Sequence, residues 1–466
     1  MKGNMIADIY TVANGVAGAA ANLSAFYDGL VAPTYPGHFP KTFKLAPSDW
    51  HLAPKIVDRA SIWHEGEYIR PLGTLDVEFL SDQIVDRAKS GNLSLSNHYP
   101  CGLKCPGCFS EDKTYDDGGH FLSWREMFAV IDDARRIGLA SIKFLGPGEL
   151  FQNPDLFDIL DAAEERNLPI SIFTKGAELG DDALASDLYG HHRIHTAREL
   201  VNRVVQYSCV RVLLGFNSFD PVRQDAMVGS NSALGNYRLK DSVFTNRGVE
   251  KYTHKRNQAL INLVAAGLNA PDKGQRLSLI AAPIRLHQID EVAEMYVWAA
   301  RRNMPLVIAP TMESGPKAVG LMQCDKKKDP CHLKLKDMYV AVYSRAIREG
   351  ILKLNDLEQA GVSAYMGTAA CNQVANGLYV RLNGVVQMCP GTIREPSIFG
   401  NVHTRSIIDI WKNSSSCAMG ALHNNWCAAK QNGMPDWLQD DVLDELRSMK
   451  LYSQDTDPAL VGELVS

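Results

Sequence analysis

Between residues 90 and 320, short apolar runs rich in β-branched residues alternate with amphipathic stretches, and no other feature restricts the fold as strongly. The runs lie at 93–97, 141–145, 170–174, 210–216, 277–282 and 306–310. The stretches between them, at 123–137, 154–166, 197–206, 253–266 and 289–302, repeat apolar residues at helical spacing. The first opens with a capping box, Ser123 with Glu126, and a hydrophobic staple, Leu122 with Met127. Strands that alternate with helices predict an α/β fold with a parallel sheet. A closed barrel has eight such units. Six predict a partial (β/α)6 TIM-like barrel, with a doubly wound open sheet as the alternative pattern. In both, function sits at the carboxyl ends of the strands.

The flanking segments read differently. Residues 1–88 form an N-terminal extension in which Pro33, Pro36, Pro40, Pro47 and Pro54 interrupt any long helix. The barrel is assigned to 89–320. Residues 321–466 form a C-terminal α+β region, with a helix at 333–349 and a hairpin at 377–386 turning at Asn383-Gly384. A formal net charge of −5 gives no reason to expect nucleic acid as a partner, and no apolar stretch is long enough to cross a membrane. The small apolar run 11–21 lacks a basic flank and reads as a helix rather than a signal peptide.

Three of the ten cysteines fall within eight residues, Cys101-Gly-Leu-Lys-Cys105-Pro-Gly-Cys108. Such crowding suits metal ligation better than a disulfide framework, and thiolate ligands call for a reducing, cytoplasmic compartment. Gly102, Pro106 and Gly107 supply the bends that let one loop wrap a cubane. Three thiolates satisfy three irons and leave the fourth open, whereas ferredoxin clusters take four cysteines. Zinc is the competing reading, although zinc motifs usually come as two Cys pairs.

This Cys-x3-Cys-x2-Cys motif, followed by the aromatic Phe109 and set in a six-strand α/β pattern, resembles the radical S-adenosylmethionine (SAM) superfamily. The resemblance implies a [4Fe–4S] cluster on Cys101, Cys105 and Cys108. SAM would chelate the open iron and be cleaved by one electron to a 5′-deoxyadenosyl radical that abstracts a substrate hydrogen. Gly146-Pro147-Gly148-Glu149, after the second strand, is similar to the family's Gly-Gly-Glu motif, which binds the methionyl amine, although Pro147 removes one amide donor. The resemblance makes Lys175, Asn217, Ser218 and Arg285 candidates for the SAM ribose and carboxylate, and it sets Ala309 beside the adenine.

The later cysteines carry a second resemblance. Twelve residues separate Cys371 from Gly384, and four more precede Cys389; Gly400-Asn401 and Ile407 to Trp411 follow. This resembles the SPASM or shortened Twitch module. It implies one auxiliary [4Fe–4S] cluster held by Cys371, Cys389, Cys417 and Cys427, with Cys324 or Cys331 as alternatives to Cys417. Cys209 reads as a buried thiol. Two substrates fit the family. The preferred one is a small biosynthetic intermediate such as a sugar or aminocyclitol; the other is a peptide or protein side chain that is crosslinked, epimerised or oxidised. A reductant such as flavodoxin or ferredoxin is implied as a partner.

Overall fold

The computed structural model describes residues 27–29, 31–32, 62–90, 103, 105, 120–146, 148–228, 252–273, 276–282, 289–308, 330–360, 362, 373–390, 398–419, 436–449 and 451. A small antiparallel hairpin, β1 (Ile62–His64) and β2 (Glu67–Ile69), precedes β3 (Thr74–Val77). Then come β4 (Ser141–Phe144), β5 (Ile170–Thr174), β6 (Val210–Gly215), β7 (Leu277–Ala281) and β8 (Leu306–Ile308). The carboxyl-terminal part adds β9 (Gly377–Val380), β10 (Val385–Gln387) and β11 (Ile398–Asn401). All but the first two join one nine-stranded sheet in the order β11-β10-β9-β3-β4-β5-β6-β7-β8.

From β3 to β8 every neighbour pairs in parallel, with helices between successive strands. This is the expected partial barrel, with one correction at its start. The first parallel strand is β3, in the segment read as an N-terminal extension, while the expected run 93–97 lies outside the described residues. The second correction concerns the C-terminal region. Its hairpin does not stand apart: β9 pairs in parallel with β3, Thr74 opposite Gly377 and Val77 opposite Val380. Thus the sheet runs across the expected boundaries at 88 and 320.

The two faces of the sheet follow strict alternation. Leu75, Val77, Ile142, Phe144, Ile170, Ile172, Val212 and Leu214 point to the helical side and join the main core. The opposite face is polar around β3 and apolar around β6 to β8, where Leu213 and Val307 pack with Phe173 and Ile280. Asp76 in β3 lies opposite Lys143 in β4, and their charged groups pair at 2.7 Å while both stay buried. Lys143 Nζ also donates to Gln373 Oε1 at 2.7 Å. Glu78 accepts hydrogen bonds from the Tyr379 hydroxyl and from Leu382 N. Acids at 76 and 78 obscure β3 as a central strand, and these partners explain why they are tolerated there.

Local signals explain the helices. Trp124–Arg135 begins at the expected capping box, with Ser123 N donating to Glu126 Oε2 at 2.7 Å and Glu126 N to Ser123 Oγ at 3.2 Å. Ala197–Val204 has a second box, Thr196 with Glu199. The β9–β10 hairpin turns at Asn383-Gly384 as expected, with Gly384 at φ 77°. Near the chain start, buried Tyr27 packs among Phe216, Phe219 and Trp298, and Asp28 pairs with Arg302. Among the described residues, no helix is long and apolar enough to cross a membrane.

Trp411 fixes the C-terminal part to the rest. It is fully buried, and its Nε1–H donates to Arg70 O at 2.7 Å. The Arg70 guanidinium in turn donates to Ser416 O and to Asn376 Oδ1. Trp411→Ala is expected to cost about 3–5 kcal/mol. A lowered thermal unfolding midpoint checks this; an unchanged midpoint contradicts it.

Candidate active site at the strand ends

The carboxyl ends of β4, β5 and β6 converge on one region. After β4 the chain turns through Gly146 (φ 99°) and Gly148 (φ 81°), backbone states that favour glycine, and then presents Glu149. The Glu149 carboxylate is buried against the end of β5. It accepts from Thr174 Oγ1 at 2.5 Å and from Lys175 N at 2.8 Å. Burial, and next the neighbouring Glu178 carboxylate, push its pKa up to about 8, against the pull of Thr174 and Lys175. The same turn carries Gly176 at φ 72°, whose N–H donates to Thr174 Oγ1 at 2.8 Å.

Cys105 reaches the same place. It is half-buried and packs on a small apolar cluster of Leu103, Ala177, Leu184, Val228 and Tyr252. The Tyr252 hydroxyl donates to Lys175 O at 3.0 Å. Burial is the main cause that pushes the Tyr252 pKa up, and the charges of Glu149 and Cys105 add to it. Lys175 folds its side chain across Gly215 at the end of β6; a Cβ there would lie 2.9 Å from Lys175 Cδ.

Asn217 and Ser218 stand at the end of β6, but both are enclosed. Their N–H groups donate to Gln224 Oε1 at 2.8 and 3.1 Å. The Ser218 hydroxyl donates to Glu291 Oε1 at 2.6 Å and accepts from Asp220 N at 3.0 Å. It is therefore committed to the turn rather than turned toward a ligand. Arg256, fully buried, braces this turn from below: it donates to Gln224 Oε1 and to the Tyr27 hydroxyl, and its guanidinium lies 3.8 Å from the Phe216 ring centroid. Of the other candidates, Cys101, Cys108, Phe109, Arg285 and Ala309 lie outside the described residues.

At the far edge of the sheet, Cys389 is buried just beyond β10. Cys417 is half-buried in the short Ser415–Met419 helix, its N–H donating to Ser414 Oγ at 3.0 Å. Burial pushes the Cys417 pKa up, and Arg70 opposes it. Cys371 and Cys427 lie outside the described residues. Cys209 is a buried thiol whose pKa is pushed far up, first by burial and then by Glu164.

The donor set fits the implied groups. A thiol, a buried carboxylate and a lysine chain meet at the strand ends, as a cluster and a cationic ligand require. Sequence reasoning missed Thr174, Glu178 and Tyr252. Glu178 is visible only as an acid four residues past Thr174, and nothing local marks it as buried.

Residues 371–431 match the SPASM family, an iron–sulfur cluster-binding domain. The match contains Cys371, Cys389, Cys417 and Cys427 and excludes Cys324 and Cys331. The chain is 24% identical over 319 residues to the mycofactocin maturase MftC of Mycobacterium tuberculosis, covering 68% of this chain and 69% of that one. The Mycobacterium ulcerans MftC gives 23% over 318 residues, covering 68% and 73%. Among solved structures, Streptococcus suis SuiB bound to precursor peptide SuiA matches with TM-score 0.41 and 13% identity, over 75% of this chain and 67% of that one. Native anSMEcpe with bound AdoMet gives TM-score 0.42 and 12% identity, over 80% and 98%. With the three-cysteine motif in the sequence, its Cys105 on the cluster of Ala177 and Tyr252 at the strand ends, the SPASM match and this relationship in sequence, the chain is a radical SAM enzyme with a SPASM iron–sulfur domain and uses [4Fe–4S] clusters and SAM as cofactors.

Proposed function

We propose that this radical SAM enzyme modifies a side chain of a peptide or protein, by crosslinking, epimerisation or oxidation. The observation that carries the reading is the match to a mycofactocin maturase over 319 residues, which extends well beyond the cysteine motifs. It moves the preference away from the sugar or aminocyclitol expected from sequence.

In this reading Cys101, Cys105 and Cys108 hold the SAM-binding cluster at the barrel whose first strand is β3. Cys371, Cys389, Cys417 and Cys427 hold one auxiliary cluster in the region 321–466. The SPASM match favours Cys417 over Cys324 or Cys331, because it encloses the former alone. When bound, the first cluster supplies the electron that splits SAM, and the adenosyl fragment takes a hydrogen atom from the substrate. The chain's own residues orient and shield. Glu149, held by Thr174 Oγ1 and Lys175 N, would accept a hydrogen bond from the methionyl amine. Lys175, laid over Gly215, would pair with the SAM carboxylate. Leu103, Ala177, Val228 and Tyr252 keep water from one side. A cytoplasmic location and a flavodoxin- or ferredoxin-type reductant belong to the same proposal.

The test uses anaerobically reconstituted enzyme with SAM, reductant and an extract of deuterium-labelled cells. Mass spectrometry follows deuterium into 5′-deoxyadenosine. Prior digestion of the extract with a broad protease is expected to remove the transfer. Transfer that survives digestion, and is lost instead when the low-mass fraction is dialysed away, contradicts a peptide substrate.

A further inference from the structure

Arg70 lies between β2 and β3, half-buried, and both hydrogen bonds of its guanidinium go to neutral groups. Nη1 donates to Ser416 O at 3.1 Å, and Nη2 donates to Asn376 Oδ1 at 2.8 Å. Ser416 O belongs to the peptide unit that leads into Cys417. Asn376 ends the short Gln373–Asn376 helix, which begins two residues after Cys371 in the chain. One side chain therefore ties together two segments, and each carries or adjoins a cysteine assigned to the auxiliary cluster.

The sheet brings a third cysteine to the same end. Thr74 lies opposite Gly377, and Gly73 N donates to Asn376 O at 2.8 Å, so β9 starts beside the start of β3. β10 then runs back along β9, with Gln387 opposite Tyr379, and Cys389 follows two residues later toward the Gly377 end. Two orphaned atoms flank the guanidinium. Asn376 Nδ2 and Ser416 Oγ are fully buried with no hydrogen-bond partner among the described residues. Such donors are rare in a packed interior, and thiolate or sulfide sulfur would accept from them. The charge of Arg70 acts on Cys417, and so does its backbone N–H. A half-buried cation held by neutral groups favours an anion nearby.

We propose that Arg70 is a positioning residue for the auxiliary cluster: its guanidinium holds the Cys417 segment against the segment that follows Cys371, and its fixed charge favours the cluster's reduced form. The inference rests on the reading of Cys371, Cys389 and Cys417 as ligands of that cluster. On reduction one electron enters from the reductant, no bond breaks and no proton moves. The positive charge offsets the added negative one, and a guanidinium keeps it at any working pH. Net charge and hydrogen bonds to sulfur are the levers that set such potentials.

The experiment is an anaerobic redox titration with titanium(III) citrate, followed by electron paramagnetic resonance. The parent protein is the reconstituted Cys105→Ala variant, so that the auxiliary cluster alone is read. Arg70→Gln removes the charge, and Arg70→Lys keeps it without the two-pronged contact. At the parent's midpoint potential, Arg70→Gln is expected to lower the reduced-to-oxidised ratio about tenfold, a shift of about 59 mV for one electron. Arg70→Lys should stay near the parent. An iron-loaded Arg70→Gln with an unchanged midpoint overturns the inference and leaves the cluster assignment standing. Equal shifts in both variants overturn the role of the charge. Loss of iron from Arg70→Gln alone supports the need for a cation there, whereas loss from both variants makes Arg70 a packing residue and overturns the inference. A folded parent that holds no iron overturns the auxiliary-cluster reading, and this inference falls with it.

Discussion

Cys105→Ala is expected to abolish reductive cleavage of SAM. Cys105 is the described member of the three-cysteine loop, and its half-buried thiol lies in the same cluster as Ala177 and Tyr252, beside the strand ends that carry Glu149 and Lys175. With two thiolates left, the loop cannot hold a cubane that keeps one iron open. Iron content should fall from about eight to about four per chain, the remainder belonging to the auxiliary cluster. 5′-Deoxyadenosine should fall to background. The fold should survive, because the main core of the sheet does not include this thiol. Circular dichroism and iron analysis separate the two outcomes. Retained cleavage by a folded variant contradicts the assignment of Cys105.

Cys389→Ala should act in the opposite sense. It lies at the far edge of the sheet, beyond β10, separated from β4 by β9 and β3. With the SAM site proposed at the ends of β4 to β6, 5′-deoxyadenosine formation should persist while the modified product disappears. Iron should again fall to about four per chain. Cys389 is buried within the main core, so loss of its sulfur costs on the order of 1 kcal/mol, too little to unfold the domain. Product formation with only one cluster remaining removes the auxiliary site from the mechanism.

These two cysteines stand out in the sequence as candidate ligands because ligand spacing is local. The capping box at Ser123 and the Asn383-Gly384 turn are legible for the same reason, each fixed by residues within one turn of chain. What was not legible depends on distant partners. The segment of β3 and the two residues after it alternates Leu75, Val77 and Phe79, a readable period of two, yet Asp76 and Glu78 argue against a central strand. Only Lys143, Tyr379 and Leu382, far away in sequence, make them acceptable. The pairing of β9 with β3 is equally non-local, so the hairpin was expected in a separate C-terminal region rather than on the barrel's own sheet.

The site shows the same division. Glu149 was singled out by its resemblance to the Gly-Gly-Glu motif after a strand, and it is buried there. Glu178 was passed over because burial, not position in a motif, gives it meaning. Ser218 was expected to face SAM, as polar residues at strand ends in related enzymes do. Instead Glu291, from the Ile289–Ala300 helix, takes its hydroxyl, a contact that no sequence period reveals.

The most direct measurement is the simplest one. Protein purified and reconstituted without oxygen is mixed with SAM and dithionite, and the products are separated by liquid chromatography with mass detection. The account predicts a brown protein that yields 5′-deoxyadenosine and methionine in equal amounts, only when iron is present. A colourless protein that binds zinc instead, or an iron-loaded one that leaves SAM intact under strong reductant, would contradict it.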